Sequence, residues 1–384
     1  MRMSMVSAAV VAALVGFGST IALVLAAAAA VGANPEQVTS WVLAVCLAKA
    51  AGSAILSAWN RVPVVLAWST PGAALIAAST GISMAEAVGA FVLAGALIAL
   101  TAALRPLGRA VAAIPDGVAA AMLAGVLLPF CLRGMEALRA APAVVLPMVA
   151  VFLLVRLRNP AVAVLAALAL GLGIVFAGGL ADLPRLPFHL PQPVLTLPEF
   201  HPGALIGLGL PLYLVTMASQ NLPGFATMRA HGFEPPVSRA LAVSGGVSAF
   251  AALFGAHTVN MAAITAAICL GDDVTPDRAE RWKVGLVYAG VWVLLGLFSP
   301  AILSLLAALP GEVMGALVAL ALLGPLTGAL TGAFTPPETR FAATMTIAVS
   351  AAGIGLFGIG AAFWGLLAGL AVWGLDRLAQ RRRG

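Results

Sequence analysis

From residue 5 to residue 379 the sequence is a succession of apolar stretches, many about twenty residues long, the length a helix needs to cross a bilayer. Short clusters of proline, glycine and charge are all that separate them. Soluble domains carry roughly 25% charged residues; here 9% are charged and 62% hydrophobic, which excludes an ordinary soluble enzyme. Within hydrocarbon the backbone must satisfy its own polar groups, and runs of this length do so as helices. The expectation is an all-α polytopic membrane protein. Since the longest hydrophilic block is 181–202, a proline-rich connector, residues 1–384 read as a single integral membrane domain.

The breaks define about fourteen segments, near 5–31, 36–57, 62–79, 83–103, 115–133, 142–157, 160–179, 203–229, 236–254, 256–270, 282–304, 310–331, 338–355 and 359–378. The third and tenth are too short to span as helices. The first is longer than a signal-peptide core of roughly 7–15 residues and reads as a transmembrane helix. With the N-terminus in the cytoplasm and strict alternation, the cytoplasmic side receives Arg2, Arg61, Arg105, Arg109, Arg156, Arg158, Arg229, Arg239, Arg278, Arg281, Lys283, Arg340, Arg377, Arg381, Arg382 and Arg383. Arg133, Arg139 and Arg185 fall outside, and Lys49 lies within a segment. The net charge of +6 therefore reads as a topology signal with both termini cytoplasmic, and not as a nucleic-acid surface. Cys46, Cys131 and Cys269 sit in apolar segments with no ligand cluster, so neither a disulfide, a metal nor a cofactor is expected.

The halves repeat. Gly32-Ala33-Asn34-Pro35 followed by Val38-Thr39 recurs as Gly232-Phe233-Glu234-Pro235 followed by Val237-Ser238, and Ile114-Pro115-Asp116-Gly117-Val118 recurs as Leu309-Pro310-Gly311-Glu312-Val313. Seven segments per half is an odd number, so the second copy (203–379) enters the membrane from the side opposite to the first (5–180). This is an inverted-topology repeat, an architecture of secondary transporters.

In the third segment a short stretch from Pro63 to Trp68 precedes Ser69-Thr70-Pro71-Gly72, where Thr70 is the expected helix cap and Pro71 the first helical residue. A helix from there to Ser79 rises about 13 Å, less than half the hydrocarbon thickness, so it starts near the midplane. The tenth segment repeats the design, with Gly255 to Asn260 extended, Asn260 as cap and Met261 to Cys269 as half-helix. Two half-helix N-termini then meet at the centre and suit an anion. Ser19 in the first segment and Ser219-Gln220-Asn221 in the eighth lie at the same depth, with Tyr213, Thr216 and Gln220 on one helical face. Three roles are open to Lys49: snorkelling, pairing with a helix C-terminus, or supplying charge to a substrate. His257 is a candidate proton carrier. Gly353-Ile354-Gly355-Leu356-Phe357-Gly358 matches GxGxxG but lacks a βαβ context, so no dinucleotide site is expected.

Three strings carry a family resemblance: Ala67-Trp68-Ser69-Thr70-Pro71-Gly72-Ala73-Ala74-Leu75, Ala218-Ser219-Gln220-Asn221-Leu222-Pro223-Gly224, and His257 through Cys269. The chain resembles the benzoate membrane transporter family along nearly its whole length. The resemblance implies proton-coupled benzoate uptake across a bacterial inner membrane, a core domain holding the third and tenth segments that moves against a gate domain, the fold of nucleobase and sulfate transporters, and a homodimer. Substrate-site candidates are Ser19, Ser69, Thr70, Pro71, Gly72, Tyr213, Gln220, Asn221, Asn260 and Met261, with Lys49 and His257 as candidates for proton coupling. Where nucleobase relatives carry acids, Gln220, Asn221 and Asn260 stand, which favours an anionic substrate. A nucleobase or other organic-anion carrier of the same fold is the alternative. A membrane enzyme would need paired carboxylates or a nucleophile with its base, and the four His and the acids form no such set.

Overall fold

The computed structural model describes residues 3–104, 106, 113–187, 189–272, 274–357 and 359–381. Arg2, Arg105, Arg109, Arg382 and Arg383 of the charge pattern, and Gly358 of the glycine motif, lie outside them.

The first apolar run forms α1 (Met3–Gly18) and α2 (Ile21–Ala30), broken at Ser19 and Thr20 where one continuous helix was expected. Next, α3 (Pro35–Asn60) starts on a capping box between Asn34 and Gln37. Strand β1 (Leu66–Trp68) leads into half-helix α4 (Thr70–Ala77), and α5 (Met84–Ala103) starts on a second box between Ser83 and Glu86. The helices α6 (Asp116–Ala140), α7 (Pro142–Arg156) and α8 (Ala163–Ala177) complete the first half.

An extended strap then crosses the starts of α3 and α5 and the end of the later helix Val237–Ala252, with Val194, Thr196 and Glu199 donating backbone N–H groups to Ser40 Oγ, Leu253 O and Ala85 O. It leads into α9 (Pro202–Ala230), which contains π turns at Leu205–Gly209 and Met217–Asn221. After α10 (Val237–Ala252) come strand β2 (Val259–Met261) and half-helix α11 (Ile264–Leu270). The chain ends with α12 (Trp282–Leu297), α13 (Ser299–Ala307), α14 (Gly311–Phe334), α15 (Arg340–Ala351) and α16 (Ala361–Arg381). Among the described residues eight helical stretches are long and apolar enough to cross a membrane, and α12 with α13, bent by 57°, makes a ninth candidate. The chain is a mostly helical, multi-pass membrane protein.

Glycines let the helices of the two halves approach closely. A Cβ at Gly95 would lie 2.5 Å from the backbone N of Ala249, and one at Gly245 2.3 Å from that of Ala99, so α5 and α10 cross backbone to backbone and antiparallel. Ser57 opposite Gly285 and Cys46 opposite Gly296 set α3 antiparallel to α12 in the same way. In the third cross-half pair, α6 lies antiparallel to α14, with Gly117 against Ala333 and Gly134 against Gly315. Both members of that pair carry an internal proline, Pro129 and Pro325.

At the centre β1 and β2 pair antiparallel, with Leu66 opposite Met261, Ala67 opposite Asn260 and Trp68 opposite Val259. Two three-residue strands cannot satisfy their own outer edges, and unsatisfied groups in a bilayer cost several kcal/mol each. Neighbouring side chains do it instead. Ser53 and Ser57 of α3 accept the N–H groups of Leu66 and Val64, Ser248 accepts that of Val259, and Asn221 accepts that of Met261. The Tyr288 hydroxyl donates to Leu66 O.

This ladder corrects two expected caps. The cap of α4 is Ser69, whose Oγ accepts the Gly72 N–H, while Thr70 is already helical. Asn260 lies inside β2, held extended by its pairing with Ala67, and α11 begins only at Ile264.

Candidate functional site

The breaks in the helices converge on one cavity of about 560 Å³. Its core wall comes from the α1–α2 break (Ser19, Thr20), from β1 and α4 (Trp68, Thr70, Pro71), from the second π turn of α9 (Ser219, Gln220) and from the residues entering α11 (Ala262 to Thr265). A second part of the lining comes from the long cross-half pair. It consists of Asp116, Ala119, Ala120 and Leu123 of α6 and Gly324, Pro325, Gly328, Ala329 and Gly332 of α14. At Gly324 and Gly328 an added Cβ would meet no atom within 4 Å, so these glycines leave room on the cavity side.

Lys49 of α3 also lines the cavity, although its side chain is 1% exposed. Its ammonium stands 3.9 Å from the ring centroid of Trp68 and 2.8 Å from that of Trp292, and it makes no ion pair or hydrogen bond among the described residues. Trp68 and Trp292 meet edge to face at 5.3 Å, Phe17 packs on both at 5.7 and 6.0 Å, and Tyr288 packs on Trp292 at 5.9 Å. A lone charged lysine at mid-membrane costs ~2.5–3.5 kcal/mol even on the mildest scale. Desolvated contact with an aromatic face returns about 2 kcal/mol. The indoles offset much of the penalty, and an anion in the cavity would complete the compensation.

The sequence candidates divide by location. Ser19, Lys49, Thr70, Pro71 and Gln220 line the cavity. Ser69, Gly72, Asn221, Asn260 and Met261 lie behind its wall and build it. Ser69 caps α4, Gly72 sits where a Cβ would press on Leu212 and Ser69, and Asn221 holds the Met261 backbone. The Asn260 amide donates to Met261 O at 2.8 Å and to Gln220 Oε1 at 3.4 Å.

Tyr213 and His257 lie away from the cavity. The Tyr213 hydroxyl pairs with Thr101 at 2.7 Å, because the π turn advances the register and takes it off the face of Gln220. His257 is fully buried, with Nδ1 accepting from the Trp41 indole at 3.0 Å. Sequence reasoning missed Trp292, Tyr288, Thr265 and Asp116. The cationic side chain at position 49 was the available signal, since a buried lysine requires partners from elsewhere. Among the described residues no cluster of three His, Cys, Asp or Glu side chains assembles that could hold a metal.

Residues 1–375 match the family described as "Benzoate membrane transport protein". The chain belongs to that family. It is 39% identical over 374 residues to "Inner membrane protein YdcO" of Escherichia coli K12, covering 97% of this chain and 96% of that protein. It is 31% identical over 363 residues to "Benzoate membrane transport protein" of Acinetobacter baylyi, covering 94% and 92%.

Among solved structures the fold is similar to SLC26A9, with a TM-score of 0.64 at 14% identity, covering 97% of this chain and 65% of that one. It is also similar to the transmembrane domain of the cyanobacterial bicarbonate transporter BicA, with a TM-score of 0.60 at 15% identity, covering 99% and 98%. These likenesses speak to the fold. Family membership makes the chain a membrane transporter and not an enzyme.

Proposed function

We propose that the protein imports benzoate or a similar aromatic carboxylate together with protons, by alternating access across a bacterial inner membrane. The observation that carries this reading is the Lys49 ammonium, set among Trp68, Trp292 and Tyr288 on the wall of the central cavity with no carboxylate partner among the described residues. A benzoate ion has the two features such a site lacks, a carboxylate for the ammonium and a flat ring for the aromatic faces. The cavity volume is within the roughly 300–1,000 Å³ range of small-molecule sites, and its glycine wall leaves space for a ring. Ser19, Thr70 and Gln220 supply neutral hydrogen-bonding groups around the same space. The relative from A. baylyi is named for benzoate.

The architecture we propose is the 7+7 inverted repeat of about fourteen segments, 5–180 and 203–379, with both termini cytoplasmic. Three antiparallel cross-half pairings, the paired strands and the matched Pro129 and Pro325 support it. In this reading the core comprises the segments around β1–α4 and β2–α11, the gate comprises α6–α8 and α14–α16, and the protein works as a homodimer. Glycines at 324 and 328 let the gate slide over the site.

Accumulating an anion against a negative-inside potential is opposed by ~2.3 kcal/mol per 100 mV, so a cation must enter with it, most simply a proton. Counterflow of labelled benzoate into proteoliposomes, competed by salicylate and not by uracil, tests the substrate. Accumulation that rises with an inward pH gradient and ignores sodium tests the coupling. Competition by uracil alone would favour the nucleobase reading, which Gln220 on the cavity wall could serve through its amide.

A further inference from the structure

We propose that Asp116 is the residue that carries the coupled proton. This inference rests on the reading of the cavity as the site of an aromatic carboxylate. Asp116 stands in the first turn of α6, exposed, and borders two spaces at once. One is the central cavity; the other is a small cleft lined by Met122, Leu214, Val215, Leu222 and Leu366, where α6 faces α9 and α16.

It is the single carboxylate among the residues lining either space, and it makes no ion pair or hydrogen bond among the described residues. Lys49 and Tyr288 are the other titratable groups on these walls. Glu312, Glu338, Arg340, Asp376, Arg377 and Tyr213, on elements around α6, line neither.

The charges in the cavity then set the stoichiometry. With Lys49 protonated and Asp116 ionised, the charges of the site without substrate sum to zero. A benzoate ion adds one negative charge, which an apolar cleft closing over Asp116 would have to bury uncompensated. A proton taken from water by the Asp116 carboxylate restores zero, leaving an ammonium, a benzoate ion and a neutral carboxylic acid. On the far side benzoate leaves, Asp116 gives its proton to water, and the empty site returns with the charges of its ammonium and its carboxylate summing to zero. One proton crosses with each benzoate and no net charge moves.

Replacing Asp116 by Asn should separate exchange from net transport. The loaded site of the variant is neutral without a proton and still crosses, whereas the empty site is cationic and does not return. The test uses the full-length protein in proteoliposomes, comparing wild type, Asp116→Asn and Asp116→Glu for benzoate counterflow, for accumulation under an inward pH gradient, and for proton entry followed with an internal pH dye.

Relative to its own counterflow, Asp116→Asn should lose about tenfold or more in accumulation and in benzoate-dependent proton entry, and Asp116→Glu should restore both ratios. Accumulation and proton entry at the wild-type level in Asp116→Asn would overturn the assignment. So would loss of counterflow in Asp116→Asn with protein of normal yield and size-exclusion profile, which would make the residue part of binding or folding. Absence of benzoate counterflow in the wild type would overturn the substrate reading, and this inference with it.

Discussion

Thr216 of α9 donates its hydroxyl hydrogen to Ser69 Oγ at 3.1 Å, while the same oxygen accepts the Gly72 N–H and so caps α4. Thr258 joins the chain at 2.9 Å from Thr216, tying α9 to both broken segments. Ser69→Ala removes a cap and an acceptor together. It should destabilise the protein by about 2 kcal/mol, read as a lower unfolding midpoint in detergent. Thr70→Val loses only the 3.2 Å contact with Thr20 and should cost about half of that or less.

The glycine wall can be filled without disturbing the fold. Because a Cβ at Gly328 meets nothing within 4 Å, Gly328→Val should leave yield and thermal stability unchanged. Its methyl groups project where the ring of the substrate would lie, and benzoate counterflow should fall by about tenfold or more. Thr327→Val, beside it but outside the cavity lining, should transport at close to the wild-type rate.

Gln220 and Asn260 are adjacent in space yet differ in access, since only Gln220 lines the cavity. Gln220→Glu introduces a negative charge at nearly constant volume. Benzoate affinity should drop about tenfold at neutral pH and recover in part as the pH is lowered and the new carboxyl takes up a proton. Asn260→Asp should instead act through folding, because its side chain bonds to the Met261 carbonyl behind the wall. Comparing binding isotherms and yields of the two variants distinguishes these effects.

Much of the fold was legible because the bilayer leaves few choices. Apolar length gave the helices, and α3 and α5 start close to the expected breaks near 36 and 83, on capping boxes at Asn34 and Ser83. The short third and tenth segments did become an extended stretch followed by a half-helix. The exact starts of those half-helices were not legible, because the strand pairing of Ala67 with Asn260 decides them and joins residues far apart in sequence. For the same reason the polar residues at mid-depth divided unexpectedly. Asn221, Ser53, Ser57 and Ser248 satisfy strand backbone, a demand no local pattern announces. Lys49 was visible as an anomaly, but its partners Trp68 and Trp292 come from segments 19 and 243 positions further along the chain, and spacing alone could not bring them together.

Substrate recognition turns on whether the Lys49 ammonium receives the carboxylate, and equilibrium binding of labelled benzoate to purified protein measures that directly. Methionine matches the lysine stem in length and suits the aromatic surroundings, so Lys49→Met should fold and run as a single species. It should bind benzoate about a hundredfold more weakly than wild type, the loss expected for a desolvated charge pair. Binding by a well-folded Lys49→Met within about twofold of wild type would contradict this role of Lys49 and place the carboxylate elsewhere in the cavity.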